Sequence, residues 1–494
     1  MQRLNNATLP KLSVSAPGYD RAALQAGIVH LGIGAFHRGH QADYTDKLLN
    51  RQGGDWGIIG ASLRSAGVRD QLQPQDGLYC LVENDGETSN IKVIGAIQSV
   101  LVGPEQPSQL IDVLSAPEIK VVTLTITEKG YCHDPASGQI NWTHPDILWD
   151  LEHYQTAPKS AIGYLVAALE KRQGIDAAVT LLSCDNLSHN GKLLQNVVSA
   201  FAQRVRPSLL KWLQAHVTFP CSMVDRIVPA VTDKERQALQ ARLGLVDEGA
   251  VVTEPFSQWV IEDSFAGDKP DWAAVGAMLV DDVAPFEDMK LRLLNGSHSM
   301  IAYLGYLAGY DFVHEVMTNE HMTVLIKDYM NLATDTLTVP DGFDIDGYKQ
   351  QLLHRFSNAS LNHRTSQIAQ DGSQKIPQRW LASVRTLLSQ KQDAALLAFA
   401  LAGWIRYLQG TRDTLGKPPG EHFEIIDPLS ATLTSLVKTE QQTSHSPVKA
   451  ILGVQSIFGN LLQEQPEWCA QVDDLHQAIT AHGVLKTLRQ IQPR

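Results

Sequence analysis

Ile28-Val29-His30-Leu31-Gly32-Ile33-Gly34-Ala35-Phe36-His37-Arg38-Gly39-His40 decides how this chain folds. Its first four residues form an apolar run of strand character, and glycines follow directly. Beyond them, helical apolar spacing continues through Tyr44, Leu48 and Leu49. Strand, glycine turn and helix in that order is the context a dinucleotide-binding fingerprint requires. Gly32 allows the tight turn. Gly34 lets a pyrophosphate approach the backbone at the helix start, among Ala35, Phe36, His37 and Arg38. The third glycine of the usual G-x-G-x-x-G is His37 here. A bare G-x-G occurs in many turns, so the flanking strand and helix carry the reading.

More strands follow. Residues 56–63 read as the second, and an acidic residue commonly ends this strand to bind the adenosine ribose. Here Arg64-Ser65-Ala66-Gly67 stands instead, and Asp70 is the first acid afterwards. Arg64 suits a 2′-phosphate, although an exposed loop arginine is the plainer reading, so NAD and NADP both stay open. Residues 78–82 and 91–94 flank Asn84-Asp85-Gly86, a hairpin signal. A helix is expected over 107–115, and a strand over 120–126 that ends at Thr127-Glu128-Lys129-Gly130-Tyr131. After a helix over 160–172, the strand over 177–183 ends at Cys184-Asp185-Asn186. Ligands of open α/β sheets lie at the carboxyl ends of strands. That rule puts Thr127, Glu128 and Lys129 near a cofactor and makes Asn186 a candidate oxyanion donor, with a helix N-cap as its alternative role. Val224-Asp225-Arg226 offers either a site carboxylate or a plain ion pair.

Strand signals stop near residue 280. From there helical periodicity dominates, as over 310–332, 345–356, 393–409 and 448–462. We therefore expect an α/β dinucleotide-binding domain over residues 1–283 and a mostly α-helical substrate domain over 284–494. The first helix of the second domain holds Pro285-Phe286-Glu287-Asp288-Met289-Lys290-Leu291-Arg292-Leu293-Leu294-Asn295-Gly296-Ser297-His298. Pro285 suits a first helical position. Gly296-Ser297 is expected to interrupt the helix. At α-helical spacing Glu287, Lys290, Asn295 and His298 fall within an arc of roughly 140°. An amine, an amide, an imidazole and a carboxylate facing one way can run acid/base chemistry; an exposed charged face is the bland alternative.

Composition narrows the classes. A chain of 494 residues exceeds one ordinary core. A formal net charge of -12 argues against a nucleic-acid surface. The five cysteines are scattered, without a C-x-x-C pair or a zinc-ligand cluster, so neither a disulfide framework nor a metal is expected. The run 394–405 is too short to span a bilayer, and Met1-Gln2-Arg3-Leu4-Asn5-Asn6 lacks an apolar signal core. A cytoplasmic protein with no membrane partner is expected.

The motif set as a whole resembles the long-chain mannitol dehydrogenase family over nearly the full chain. The carriers are residues 32–40, 125–131, Ser183-Cys184-Asp185-Asn186, Val224-Asp225-Arg226-Ile227 and the Lys290, Asn295, His298 spacing. The resemblance implies a Rossmann-type domain, a helical domain, NAD, no metal, and a small sugar-acid or polyol substrate. It implies a monomer, with a dimer left open. Lys290 would be the acid/base, Asn186 and Asn295 would hold the substrate oxygen, and His298 would position a neighbouring hydroxyl. Glu287 would lie on the proton path, and Val224 and Asp225 would line the substrate pocket. Polyol dehydrogenases of the family carry an arginine eight residues before the lysine of their D-G-S-x-K segment; here that lysine is Lys375 and the arginine position is Gln367. This segment and Glu128-Lys129-Gly130-Tyr131 are closer to the fructuronate reductase branch. A sugar acid needs a cation, for which Lys129, Arg364, Lys375 and Arg379 are candidates. A neutral-polyol dehydrogenase and a non-catalytic dinucleotide-binding regulator are the competing readings.

Overall fold

The apolar run before the first glycine becomes strand β1 (Ala26–Leu31), and five further runs join it. They are β2 (Gly57–Ser62), β3 (Ile97–Val102), β4 (Val121–Leu124), β5 (Val179–Ser183) and β6 (Val217–Thr218). All neighbours pair in parallel, in the spatial order β3-β2-β1-β4-β5-β6. This is the doubly wound dinucleotide-binding order, and its direction of winding reverses between β1 and β4. Strands β4 and β5 are buried at every position, because helices cover both faces of such a sheet. One core holds Leu110, Leu114, Leu165 and Phe201 from three of those helices; the other holds Tyr44, Leu48, Trp259 and Trp272. The computed structural model describes residues 2–491 except 87, 135–136, 413–419 and 444.

The chain divides into two compact units, Met1–Ala284 and Pro285–Arg494. In the first, the expected hairpin forms from Tyr79–Asn84 and Ser89–Ile94, and Val251–Thr253 adds to it in parallel. Strand β3 is not expected from the sequence pattern, because Gln98-Ser99 interrupts its apolar run. The expected single helix after the glycine turn is two helices, Ala35–Gly39 and Gln41–Gln52, broken at His40. The break has a cause: the buried Arg226 guanidinium takes the Gly39 carbonyl at 2.8 Å, drawing it out of the helical ladder.

The second unit is helical; its strands among the described residues are Thr411–Arg412 and Glu421–His422. Gly296–Leu307 and Ala395–Tyr407 are buried nearly all round, as central helices must be. Two expected helices are split. Residues 310–332 divide at Asn319, whose side chain caps Glu320–Thr334. Residues 448–462 give three short helices, parted at Gly453 and at Gly459, which has φ 59°. Among the described residues, no helix is long and apolar enough to cross a membrane.

Candidate active site

The glycine turn is braced from beneath. Gly32 has φ +94°, and a Cβ there would sit 2.1 Å from the Thr125 carbonyl oxygen. Only glycine fits. Gly34 differs: a Cβ on it would meet nothing closer than 3.8 Å, so its bare backbone faces open space. That space is a cavity of about 250 Å³ whose walls include Gly32, Gly34, Ser62, Arg64, Thr125 and Thr127. A cradle with this shape fits a dinucleotide pyrophosphate. His37, in place of the third glycine, stacks flat on His30 with ring centroids 3.5 Å apart. His30 in turn reaches the Thr123 and Thr125 hydroxyls, both at 2.8 Å, and Thr125 donates to the Gly32 carbonyl at 2.9 Å. Burial pushes the His30 imidazole down to about 3. Arg38 donates to the carbonyls of Gly34 and Gly249. Thus His37 and Arg38, expected from the sequence to meet a cofactor, are buried in the protein and stiffen the turn. Phe36 stacks on His40.

The end of β4 is held by Asp185, a residue with no distinctive signal in the sequence pattern. The buried Asp185 carboxylate accepts from the Ile126 and Thr127 N–H groups, at 3.0 and 2.8 Å, and from the Tyr131 hydroxyl at 2.7 Å. This fixes Thr127 at φ 63°, an unusual conformation for a branched residue. Glu128 and Lys129 are exposed on the helical turn that follows. Asn190 links the segment carrying Asn186 to the strand Ser222–Asp225, through the carbonyls of Asp185 and Ser222. Val224 and Asp225 are buried in that strand. Their neighbour Arg226 pairs with Asp43 and Glu83, at 2.8 and 2.7 Å. Burial opposes ionisation of Asp43, but Lys47, Lys92 and Arg226 prevail and hold it down at about 2. The fold also brings donor atoms of Cys132, His144 and Asp146 within 4.8 Å of one another, a grouping the sequence spacing did not reveal. Burial pushes the Cys132 thiol up to about 12, which disfavours the thiolate a metal needs.

In the second unit the expected regular helix is not regular. Ala284–Met289 is α-helical, Lys290–Asn295 is a π turn, and Gly296–Leu307 resumes the α-helix. Pro285 is therefore its second residue, and Gly296-Ser297 does not interrupt it. The Gly296 N–H reaches back five residues to the Leu291 carbonyl. In that register residues five apart share a side, so Lys290 and Asn295 project together where an α-helix would part them by about 140°. Steps of three, five and three then align Glu287, Lys290, Asn295 and His298. Glu287, Lys290 and His298 are all buried.

A π turn releases carbonyls from the helical ladder, and buried carbonyls need donors. The Tyr329 hydroxyl donates to Arg292 O at 2.6 Å, Arg379 to Asn295 O at 3.2 Å, and the Trp380 indole to Gly296 O at 3.1 Å. Arg379 and Trp380 come from a second π turn, Pro377–Leu381. Gly296 is required because a Cβ would lie 1.8 Å from the Tyr329 oxygen. Arg379 also donates to Ser299 Oγ at 2.8 Å, so this candidate substrate cation is engaged in holding the lysine turn. Lys375 donates to the carbonyls of Ile368 and Gln370, at 3.2 and 2.7 Å. Burial, then the Arg379 charge, lowers its ammonium to about 8. Arg364 is exposed, over the Phe312 ring. The His298 ring lies 4.7 Å from Phe356 and 5.2 Å from His363. Burial first, then His363, Arg355, Arg379 and Lys375, hold its imidazole well below its ordinary value.

A dinucleotide-binding sheet followed by a helical unit with a buried lysine, a half-buried amide and a buried imidazole defines a dehydrogenase. Models of the mannitol dehydrogenase Rossmann domain and of the mannitol dehydrogenase C-terminal domain match residues 26–274 and 282–480, and the chain belongs to that family. It is 43% identical to the D-mannonate oxidoreductase of Escherichia coli K12, over 96% of this chain and 97% of that one. It is 36% identical to a mannitol 2-dehydrogenase of Aspergillus fumigatus, over 98% of each chain. The solved Pseudomonas fluorescens mannitol 2-dehydrogenase, a ternary complex with NAD and D-mannitol, is similar at 38% identity and a TM-score of 0.84, over 99% of each chain.

Proposed function

We propose that this enzyme interconverts D-mannonate and D-fructuronate, with NAD as cofactor. The observation that carries the sugar-acid reading is the charge near His298, where the cations Arg355, Arg379 and Lys375 each disfavour a further positive charge. An anionic substrate is favoured next to such a wall; a neutral polyol gains nothing from it. Lys375 is the cation we assign to the substrate carboxylate: two carbonyl oxygens hold its ammonium in place, and burial with the Arg379 charge outweighs the nearby Asp371 and Asp427 carboxylates. Gln367, where a polyol-binding arginine would stand, supports the same choice, as does the higher identity to the mannonate oxidoreductase.

NAD, when bound, accepts or returns a hydride at its nicotinamide ring. The protein does the rest. In oxidation, neutral Lys290 removes the proton of the C5 hydroxyl as hydride leaves C5. Asn186 and Asn295 are the amides we assign to donate to the oxygen as charge grows on it. His298 orients a neighbouring hydroxyl, and Glu287 passes the proton onward to water. In reduction, Lys290 as ammonium protonates the forming alkoxide. The test is NADH oxidation with D-fructuronate beside D-fructose. We expect kcat/KM to favour fructuronate by on the order of a hundredfold or more, the scale of a missing charge contact. A preference for fructose would sink this assignment and make the chain a polyol 2-dehydrogenase.

A further inference from the structure

The strand end at β2 lacks the acid that usually meets the adenosine ribose: after Ser62 come Leu63, Arg64 and Ser65. The fold supplies one from elsewhere. Asp146 is the second residue of the helix Pro145–His153, and its carboxylate lies 3.9 Å from the Arg64 guanidinium. Both residues line the glycine cavity, and both also line an adjoining cavity of about 390 Å³. The walls of this second cavity include Leu63, Pro104, Pro107, Trp149 and Tyr164. Flat apolar walls suit a purine ring. With the pyrophosphate over Gly34 and the purine in the second cavity, the ribose must cross the residues the two cavities share. Arg64 and Asp146 are the charged pair at that crossing, with Lys159 beside them.

Within the NAD reading above, the geometry points to Asp146 as the residue that selects the cofactor. Its carboxylate accepts the ribose 2′-hydroxyl and repels a 2′-phosphate. Arg64, which alone would welcome that phosphate, is answered by Asp146. The site thus achieves with a helix acid what a strand-end acid does in other dinucleotide domains. The ion pair is loose, and the Arg64 side chain is 77% exposed, so it contributes little to the fold. Its place at the cavity junction is what gives the pair a role.

The experiment is fluorescence titration of the full chain with NADH and with NADPH, in the presence of EDTA so that no metal occupies Asp146. The wild type should bind NADH more tightly. Asp146→Asn should shift the NADH-to-NADPH affinity ratio by on the order of tenfold or more towards NADPH, the effect of removing one like charge. Asp146→Asn combined with Arg64→Ala should lose most of that gain in NADPH binding. A melting temperature matching the wild type would separate this from general damage. An unchanged ratio in Asp146→Asn overturns the inference and leaves the NAD reading intact. So does a wild type that binds both cofactors equally. A wild type that binds neither overturns the NAD reading and this inference with it.

Discussion

The glycine turn of the first unit and the lysine turn of the second use opposite means to hold an irregular backbone in place. The first lies at the end of a parallel sheet, and its neighbours are fixed by regular strand pairing on both sides of β1. The second departs from regular structure, and side chains from distant helices satisfy what the departure exposes. Each has a glycine that cannot be replaced, against a carbonyl in one case and a tyrosine hydroxyl in the other. The difference teaches that a cofactor which brings its own chemistry needs a rigid, open cradle. The lysine proposed as acid/base and the amide proposed as donor beside it need a register that puts both side chains on one side.

The largest effect that tests this division falls on Lys290. Lys290→Ala should lower turnover by about a thousandfold, within the usual range for a general acid/base, while NADH affinity changes by no more than about twofold. Parallel losses in both would mean the lysine turn also builds the cofactor site. Next come the two glycines of the cradle. Gly32→Ala meets both a left-handed backbone and the Thr125 carbonyl, so soluble, folded protein should be largely lost. Gly34→Ala is free of both problems. It should keep its melting temperature within a few degrees yet weaken NADH binding about tenfold, by filling the space a pyrophosphate needs. Equal behaviour of the two variants in titration and thermal unfolding would erase the distinction drawn between them. A smaller effect is expected at Tyr329. Tyr329→Phe leaves the Arg292 carbonyl without its hydroxyl donor and should cost about 1–3 kcal/mol of stability. Turnover should fall more than NADH affinity, because Lys290 and Asn295 lose their shared register. Urea unfolding and steady-state kinetics on one preparation check both halves.

These two regions were not equally legible in the sequence. Strand, glycine turn and helix depend on local pattern, so β1 and the cradle could be read from residues 28–49 alone. The residues Lys290, Asn295 and His298 were also visible as a group, but their geometry was not. A π turn depends on what takes its carbonyls, and Tyr329, Arg379 and Trp380 lie far along the chain. For the same reason Arg379 reads as a substrate cation in one dimension and as a brace in three. Asp146 gave no local signal, since only the fold sets it beside Arg64. Strand β3 was missed because its middle is polar, and parallel pairing to β2 overrides that weak local preference.

Both units hold histidines that burial depresses, and the second also holds a depressed lysine, so the second responds to pH on the basic side as well. Burial holds His30 and His40 at about 3, against an ordinary 6.5, so the unfolded chain binds more protons between those values. The stability these imidazoles contribute is complete above pH 6.5 and is lost as pH falls towards 3. Lys375 is also depressed, from 10.5 to about 8, so the second unit gains stability as pH rises between those values. A bound carboxylate should reverse that preference by favouring the ammonium. Affinity for D-mannonate should therefore weaken by a few-fold as pH rises from about 7 to 9, while affinity for mannitol, which has no carboxylate, should not follow Lys375. The measurement is a binding titration on the NADH-free Lys290→Ala protein, which removes the other lysine proposed to meet the substrate. Lys375→Met in that background should flatten the mannonate profile. If the profile keeps its slope without Lys375, another titrating group sets it, and the assignment of Lys375 to the carboxylate fails.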